Sequence, residues 1–382
     1  MKTAIVHDWL TGMRGGEKVL EVFCELFPDA DLYTLLHVPG SVSPVIADRP
    51  IHTTFVQNLP RAAKWYRYYL PLFPTAIEMF DLRQYDLVLS TSHCVAKGVI
   101  TAPHTCHISY VHTPMRYVWD LFNDYFGPHR MGWLKRLLIS FFSTYLRTWD
   151  AASAGRVDHY ISNSAYVAGR IRKYYRRDAT VIHPPVSVDK FSVREGDGDY
   201  YLVVSAFAPY KRIDLAVEAF AKMGKKLKVV GSGQDAQRLR EMSGPNIEYT
   251  DWLEGHQVIE AFEHCKAFIF PGEEDFGITP VEAQAAGRPV IAYARGGALE
   301  TVCGAYVDAP ERPDPCTGVF FREQTVESLC EAVEFFEREN PISPREALRT
   351  HAETFARDLF KENIRAFIEE KMTAWQNGAR HV

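Results

Sequence analysis

The sequence predicts an α/β protein made of two Rossmann-like domains, residues 1–185 and 190–355. Three observations lead there. The chain has 382 residues, enough for two domains at ~150 residues each. Short apolar runs alternate with helix-length amphipathic stretches, the rhythm of βαβ units around a parallel sheet. That rhythm breaks once, near the middle, and then restarts.

In the first half, TAIVH (3–7) is a strand followed by a glycine-containing loop and the amphipathic EKVLEVFCELF. DLVLS (86–90) and HISYVH (107–112) are further strands, 132–155 reads as a helix, and VDHYIS (157–162) is a strand with its own helix. The segment HPPVSVDKFSVREGDGD (183–199) holds two prolines, two glycines and a charge cluster, and reads as a linker. YYLVVS (200–205), a helix from Lys211, KLKVVG (226–231), NIEYT (246–250), KAFIFP (266–271) and PVIAY (289–293) then repeat the alternation, and 325–382 has helical periodicity. Two such sheets facing across a cleft would hold a ligand at the carboxyl ends of their strands.

Composition narrows the function. Hydrophobic residues at 47% and charged residues at 24% exclude a disordered or fibrous chain. The net charge of −5 argues against a nucleic-acid partner, but it is unevenly spread. Residues 1–185 carry 20 Lys+Arg against 15 Asp+Glu (+5), and residues 186–382 carry 23 against 33 (−10), so an anionic surface would meet the first half. Seven scattered cysteines without a C-x-x-C pair fit neither a zinc site nor a disulfide framework, and read as free thiols of a reducing compartment. MKTAIVHDWL lacks the form of a signal peptide, and no apolar run is long enough to cross a membrane. The expected place is the cytoplasm, at most on a membrane surface.

Four segments carry chemistry. DWLTGMRGGEK (8–18) sets Gly15 and Gly16 at a helix start, where free N–H groups can face an anion; a plain tight turn explains it equally well. Lys211 and Arg212 in SAFAPYKRIDLAVEAF (205–220) open a helix, an unfavourable place for cations unless an anion lies between. VVGSGQD (229–235) adds a strand-to-helix turn with Gly231 and Gly233. The sharpest feature is FPGEEDFGITPVEAQAAGRPVIA (270–292), in which Glu274 lies in a loop and Glu282 lies eight residues on, in the following helix. The pair can bracket a polyhydroxylated ligand while Phe276, Gly277 and Ile278 offer backbone donors to a phosphate.

This last run resembles the E-x7-E signature of the retaining family 4 glycosyltransferases of the GT-B fold. Other segments fall in that family's order: YISNSAYVAGRI (160–171), the interdomain VIHPPVSVDKF (181–191) with Pro185 where glycine is usual, and APYKRIDLAVEAF. The resemblance implies a nucleotide-sugar donor, no metal and no cofactor. Lys211 and Arg212 would hold the donor diphosphate, Glu274 the donor sugar and Glu282 the ribose. Gly15, Gly16 and Gly231 would join the donor site, and the last helix, about 357–376, would return to the first domain. Where the family usually has an arginine this chain has Ala206, which leaves more of the leaving-group charge to Lys211. Lys211 is expected to be exposed, with its partner supplied only by the donor.

In YVHTPMRYVWD (110–120), His112 follows a strand and matches the family's active-site histidine; His104 and His107 read as core residues. The string from His112 through Arg116 to Asp120 resembles the bacterial mannosyltransferase branch of O-antigen and exopolysaccharide assembly. That implies mannose from GDP-mannose and a lipid-linked saccharide acceptor at the inner face of the membrane. A UDP-sugar donor, a sugar-nucleotide epimerase or a non-catalytic subunit are the alternatives. Two acid-free segments interleave cations with aromatics. Residues 56–77, with Arg61, Lys64 and Arg67, are assigned to an anionic membrane, whereas 129–149, with Arg130, Lys135, Arg136 and Arg147, read as either membrane contact or core helix.

Overall fold

The computed structural model describes residues 1–120, 122, 132–196, 198–251, 253, 255–309 and 311–379. The chain forms two compact units: residues 1–185 with 360–382, and residues 186–359.

The first unit is a seven-stranded parallel sheet of β1 (Thr3–His7), β2 (Asp31–Thr34), β3 (Ile51–Thr53), β4 (Leu87–Ser92), β5 (Cys106–Val111), β6 (His159–Ser162) and β7 (Thr180–Val181), in the order β3-β2-β1-β4-β5-β6-β7. Period-two alternation sorts its side chains. Ile5, Leu87, Leu89 and Ile108 face one layer with Val19, Leu20 and Phe23 of α1 (Gly15–Leu26). Ala4, Val6 and Val88 face the other, with Tyr66 and Phe73. Helices α2 (Trp133–Ser153) and α3 (Ala165–Tyr175) complete the run before the linker.

The second unit repeats the plan with β8 (Tyr201–Val204), β9 (Leu227–Val230), β10 (Ile247–Thr250), β11 (Ala267–Phe270), β12 (Val290–Tyr293), β13 (Gly304–Tyr306) and β14 (Gly318–Phe321), ordered β10-β9-β8-β11-β12-β14-β13. Its longer helices are α4 (Ile213–Met223), α5 (His256–Glu263), α6 (Ile278–Ala285), α7 (Val326–Glu339) and α8 (Arg345–Glu353). Leu215 and Phe220 of α4 and Leu329 and Val333 of α7 cover one face of the sheet. Phe262 of α5, Val281 of α6 and Ala352 of α8 cover the other.

The last helix, α9 (Arg357–Ala379), places Phe360, Ile364, Ile368 and Met372 in the first unit's core beside Ile5 and Leu32. Each such burial contributes ~1.5–3 kcal/mol. Lys361 Nζ lies 2.8 Å from Glu25 and the Trp375 indole donates to the His104 carbonyl at 3.1 Å.

Five strands escape the sequence reading: β2, β3, β7, β13 and β14. They have two to four residues each, and their partners in the sheet rather than local pattern make them strands. His104 also departs from expectation, because it is exposed on the turn before β5. His107 is fully buried, sharing a 2.8 Å hydrogen bond with Ser90 Oγ and facing the Arg156 carbonyl through Nδ1 at 3.3 Å.

Candidate active site

In both sheets the strand order reverses in the middle, between β1 and β4 and between β8 and β11, and in the second sheet β13 and β14 also exchange places at the edge. At such a point neighbouring connections leave to opposite faces, and the carboxyl ends of the strands open a crevice. The candidate residues of each unit collect there.

In the first unit β1, β4 and β5 lie side by side and each ends on a histidine: His7 closes β1, His93 follows β4 and His112 follows β5. Ring centroids are 6.0 Å apart for His7 and His93, and 6.3 Å for His93 and His112. His112 is pinned through its backbone, its N–H donating to the Ser92 carbonyl at 2.8 Å and its carbonyl accepting from Asn163 Nδ2 at 3.0 Å. Its Nε2 shares a 2.7 Å hydrogen bond with Thr91 Oγ1. Burial pushes the His112 pKa well below the ordinary histidine range, and the neighbouring His93 and His7 push it the same way. His112 is therefore a neutral imidazole at neutral pH.

The first turn of α1 stands over this row. A methyl group placed on Gly16 would lie 3.5 Å from His112 Nε2 and 3.6 Å from His7 Cε1, so only a residue without a long side chain keeps the space above the imidazoles. Gly15 begins the same turn, and Glu17, also on it, brings Oε1 to 3.8 Å from His7 Nε2. Burial alone would raise the Glu17 acid; His7, the backbone N–H and His93 together outweigh it and hold the carboxyl below its ordinary value. Among the described residues, neither ring nitrogen of His7 has a hydrogen-bond partner.

Asp8 organises the floor. Fully buried, it accepts backbone N–H bonds from His93, Cys94, Val95 and Ala96 at 2.6–2.9 Å, and His93 Nδ1 lies 3.1 Å from it. The sequence reading missed Asp8, His7 and His93. Their signal is the switch from apolar to polar at a strand's end, TAIV to HD and LVL to STSH. Downstream of His112, Arg170 Nη1 donates to Thr113 Oγ1 at 3.0 Å, steadying the turn that leads to the half-buried Arg116.

In the second unit, Lys211 lies in the turn after β8, and Arg212 precedes α4 in a left-handed conformation (φ +54°). Glu274 lies in the loop after the adjacent strand β11. Because the two strands are neighbours their loops meet, and Lys211 Nζ forms an ion pair with Glu274. This corrects the expectation of an exposed lysine without a protein partner: the Lys211 side chain is only 16% exposed and Glu274 20%. Arg212 Nε lies 3.3 Å from Asp214, and Arg212 Nη1 donates to Gln324 at 3.5 Å.

Backbone contacts fix this loop. The Glu274 carbonyl accepts from the Gly297 N–H at 2.8 Å, joining the ends of β11 and β12. Gly231 (φ +140°) lets the β9 turn press against the β8 loop; a Cβ there would fall 1.9 Å from the Ser205 oxygen. Phe276 is buried against Phe355, Gly277 (φ +91°) leads into α6, and Ile278 is its first residue. Glu282, on the second turn of α6, is partly buried. The buried Gln284 amide, two residues further, donates to the Pro280 and Thr301 carbonyls at 2.9 and 2.8 Å. Lys211, Arg212, Gly231, Glu274, Phe276, Gly277 and Ile278 thus come together around the β8–β11 reversal. Ala206, exposed nearby, supplies no cation.

Arg61, Lys64 and Arg67 lie elsewhere in the first unit. All three are exposed, the Arg61 guanidinium 4.7 Å over the Trp65 ring and that of Arg67 5.3 Å over Tyr66. Among the described residues, no group of three or more His, Cys, Asp or Glu is arranged to hold a metal ion.

Known proteins share this organisation. The Glycosyltransferase Family 4 profile matches residues 13–190, and the Glycosyl transferases group 1 profile matches residues 187–355. Alpha-1,3/1,6-mannosyltransferase ALG2 of Saccharomyces cerevisiae is 25% identical over 327 residues, covering 67% of this chain and 62% of its own. A GDP-mannose-dependent alpha-mannosyltransferase of Mycolicibacterium smegmatis is 34% identical over 100 residues, 26% of each chain. The chain therefore matches less than two thirds of either relative's length. The structure of Anabaena HepE in complex with UDP superposes with a TM-score of 0.67 at 12% identity, over 97% of this chain and all of that one, a likeness of fold. Two profiles that meet at the linker, with two parallel-sheet domains beneath them, show that the chain belongs to the family 4 glycosyltransferases of the GT-B fold.

Proposed function

We propose that this glycosyltransferase moves mannose from GDP-mannose, with retention of anomeric configuration, onto a lipid-linked saccharide during bacterial surface polysaccharide assembly. The observation that carries the reading is the Lys211–Glu274 pair, one cation and one carboxylate joined at the strand-order reversal beside the start of α6. Breaking the anomeric C–O bond leaves an oxocarbenium-like sugar and a diphosphate with growing negative charge. Fixed cations and helix N–H groups at that diphosphate stabilise the transition state more than the ground state. Lys211 and Arg212 serve it with the N–H groups of Gly277 and Ile278, while Glu274 serves the sugar and Glu282 the ribose. The reading draws on no metal or cofactor.

The first unit supplies His112, Gly15 and Gly16, with Arg116 on the acceptor side. Arg61, Lys64 and Arg67 would meet an anionic membrane at the inner face of the cell membrane. Attack comes from the leaving-group face, the departing phosphate oxygen taking the acceptor's proton. The mannosyl assignment is supported by the mannosyltransferases among the relatives. A thermal-shift panel of nucleotide-sugars followed by a transfer assay tests it. GDP-mannose should stabilise the protein and UDP-sugars should not; the reverse order would overturn the donor assignment.

A further inference from the structure

We propose that the amino-terminal half of α2 is an interfacial helix that lies on, and inserts its apolar side into, an anionic lipid bilayer. The sequence alone left 129–149 open between core helix and membrane contact; Arg130 lies outside the described residues. The structure removes the core option for the part it describes. Trp133, Leu134, Leu137, Leu138 and Phe141 are 59–73% exposed and Tyr145 is 41% exposed. Positions 134, 137, 138, 141 and 145 follow helical spacing, so they make one stripe ~17 Å long at 1.5 Å per residue.

The helix is held rigidly from its other end. Leu146 and Ser143 are buried, and Asp150, fully buried, pairs with Lys97 Nζ at 2.9 Å and accepts from Trp119 Nε1 at 2.8 Å. Trp149 donates to Glu78 at 2.7 Å. The exposed half therefore projects from an anchored helix, and its apolar stripe is a built surface.

Charge decides what covers it. Residues 133–149 include Lys135, Arg136 and Arg147 and no Asp or Glu. Two copies packed through this face would bring like charges together with no carboxylate between them. A bilayer with anionic headgroups supplies the missing sign at the flank and hydrocarbon under the stripe. Among the described residues no helix is long and apolar enough to cross a membrane, so α2 lies in the interface rather than spanning it. The inference takes from the proposed function only the lipid-linked acceptor, which such a seat would bring within reach.

The test is vesicle flotation of the full chain without donor or acceptor, so its result is separate from that of any transfer assay. Phosphatidylcholine vesicles, with and without phosphatidylglycerol, are compared for the wild type, for Leu137→Ser with Phe141→Ser, and for Lys135→Ser with Arg136→Ser. Wild type should bind the anionic vesicles. The apolar double variant should bind at least ~10-fold more weakly at any salt concentration. The basic double variant should show a weaker preference for phosphatidylglycerol, the rest of it resting on Arg61, Lys64 and Arg67. In the wild type, brominated acyl chains should quench the fluorescence that is lost in Trp133→Phe, a readout that does not depend on how the double variants fold. Wild-type-like flotation of Leu137→Ser/Phe141→Ser, or no quenching attributable to Trp133, would overturn the proposal. So would a concentration-dependent dimer that the apolar double variant dissociates.

Discussion

Lys211 and Glu274, 63 positions apart in sequence, are joined as an ion pair across the loops that leave β8 and β11. The lysine is thus held in place by the protein itself, and in the proposed reaction the donor diphosphate would share it with the carboxylate. The pair is mostly screened from water, so its geometry is better fixed than that of an exposed surface pair.

Lys211→Ala is expected to lower kcat by on the order of 10²–10³, the loss typical of one preorganised contact to developing charge. It also removes the cation paired with Glu274 beside the proposed diphosphate site, while Ala206 provides no reserve cation. Steady-state kinetics and a melting curve check this together, since the fold should persist. Activity within about threefold of wild type would place the leaving group elsewhere.

His112→Ala should damage turnover comparably but leave nucleoside diphosphate affinity nearly unchanged, because His112 belongs to the first unit and the groups proposed to hold the diphosphate belong to the second. Calorimetric titration with GDP separates the two effects. A loss of GDP affinity matching the loss in kcat would remove His112 from the acceptor side.

Asp8→Asn should destabilise the first unit by ~2–3 kcal/mol, because an amide cannot accept the four N–H groups that the Asp8 carboxylate accepts. The urea midpoint reports it. An unchanged midpoint would mean that the 93–96 turn holds without this anchor.

Stability should fall as pH drops from about 6.5 towards 4. Burial lowers the His107 pKa to about 4 in the folded protein, so below its unfolded value the unfolded chain binds more protons. Stability fully present above pH ~6.5 is lost on the way down, on the order of 3 kcal/mol for this group. His112 and His93, also lowered by burial, act in the same sense. Urea unfolding across this range, with His107→Asn as the comparison, tests it; an equal slope for both proteins would assign the effect to other groups.

Replacing Arg61, Lys64 and Arg67 together by Ser should weaken binding to anionic vesicles, most at low salt, where charges are felt beyond ~10 Å. Transfer to a short soluble acceptor should continue. Unaltered vesicle binding would leave 56–77 as ordinary packed structure.

The sequence by itself determined the α/β class, the two-unit plan and the family. Apolar runs such as TAIVH and KAFIFP have local periods that survive any packing, and the E-x7-E segment is contiguous. It also marked His112, Lys211 and Glu274 one by one. Only the tertiary structure decided which residues meet. Lys211 reaches Glu274, and His7, Asp8 and His93 gather beside His112, because parallel strands distant in sequence become neighbours where the order reverses. The fate of α2 was likewise undecided in sequence. An apolar stripe has the same spacing whether it faces a core or solvent, and the buried Asp150–Lys97 pair fixes which side of the helix turns inward.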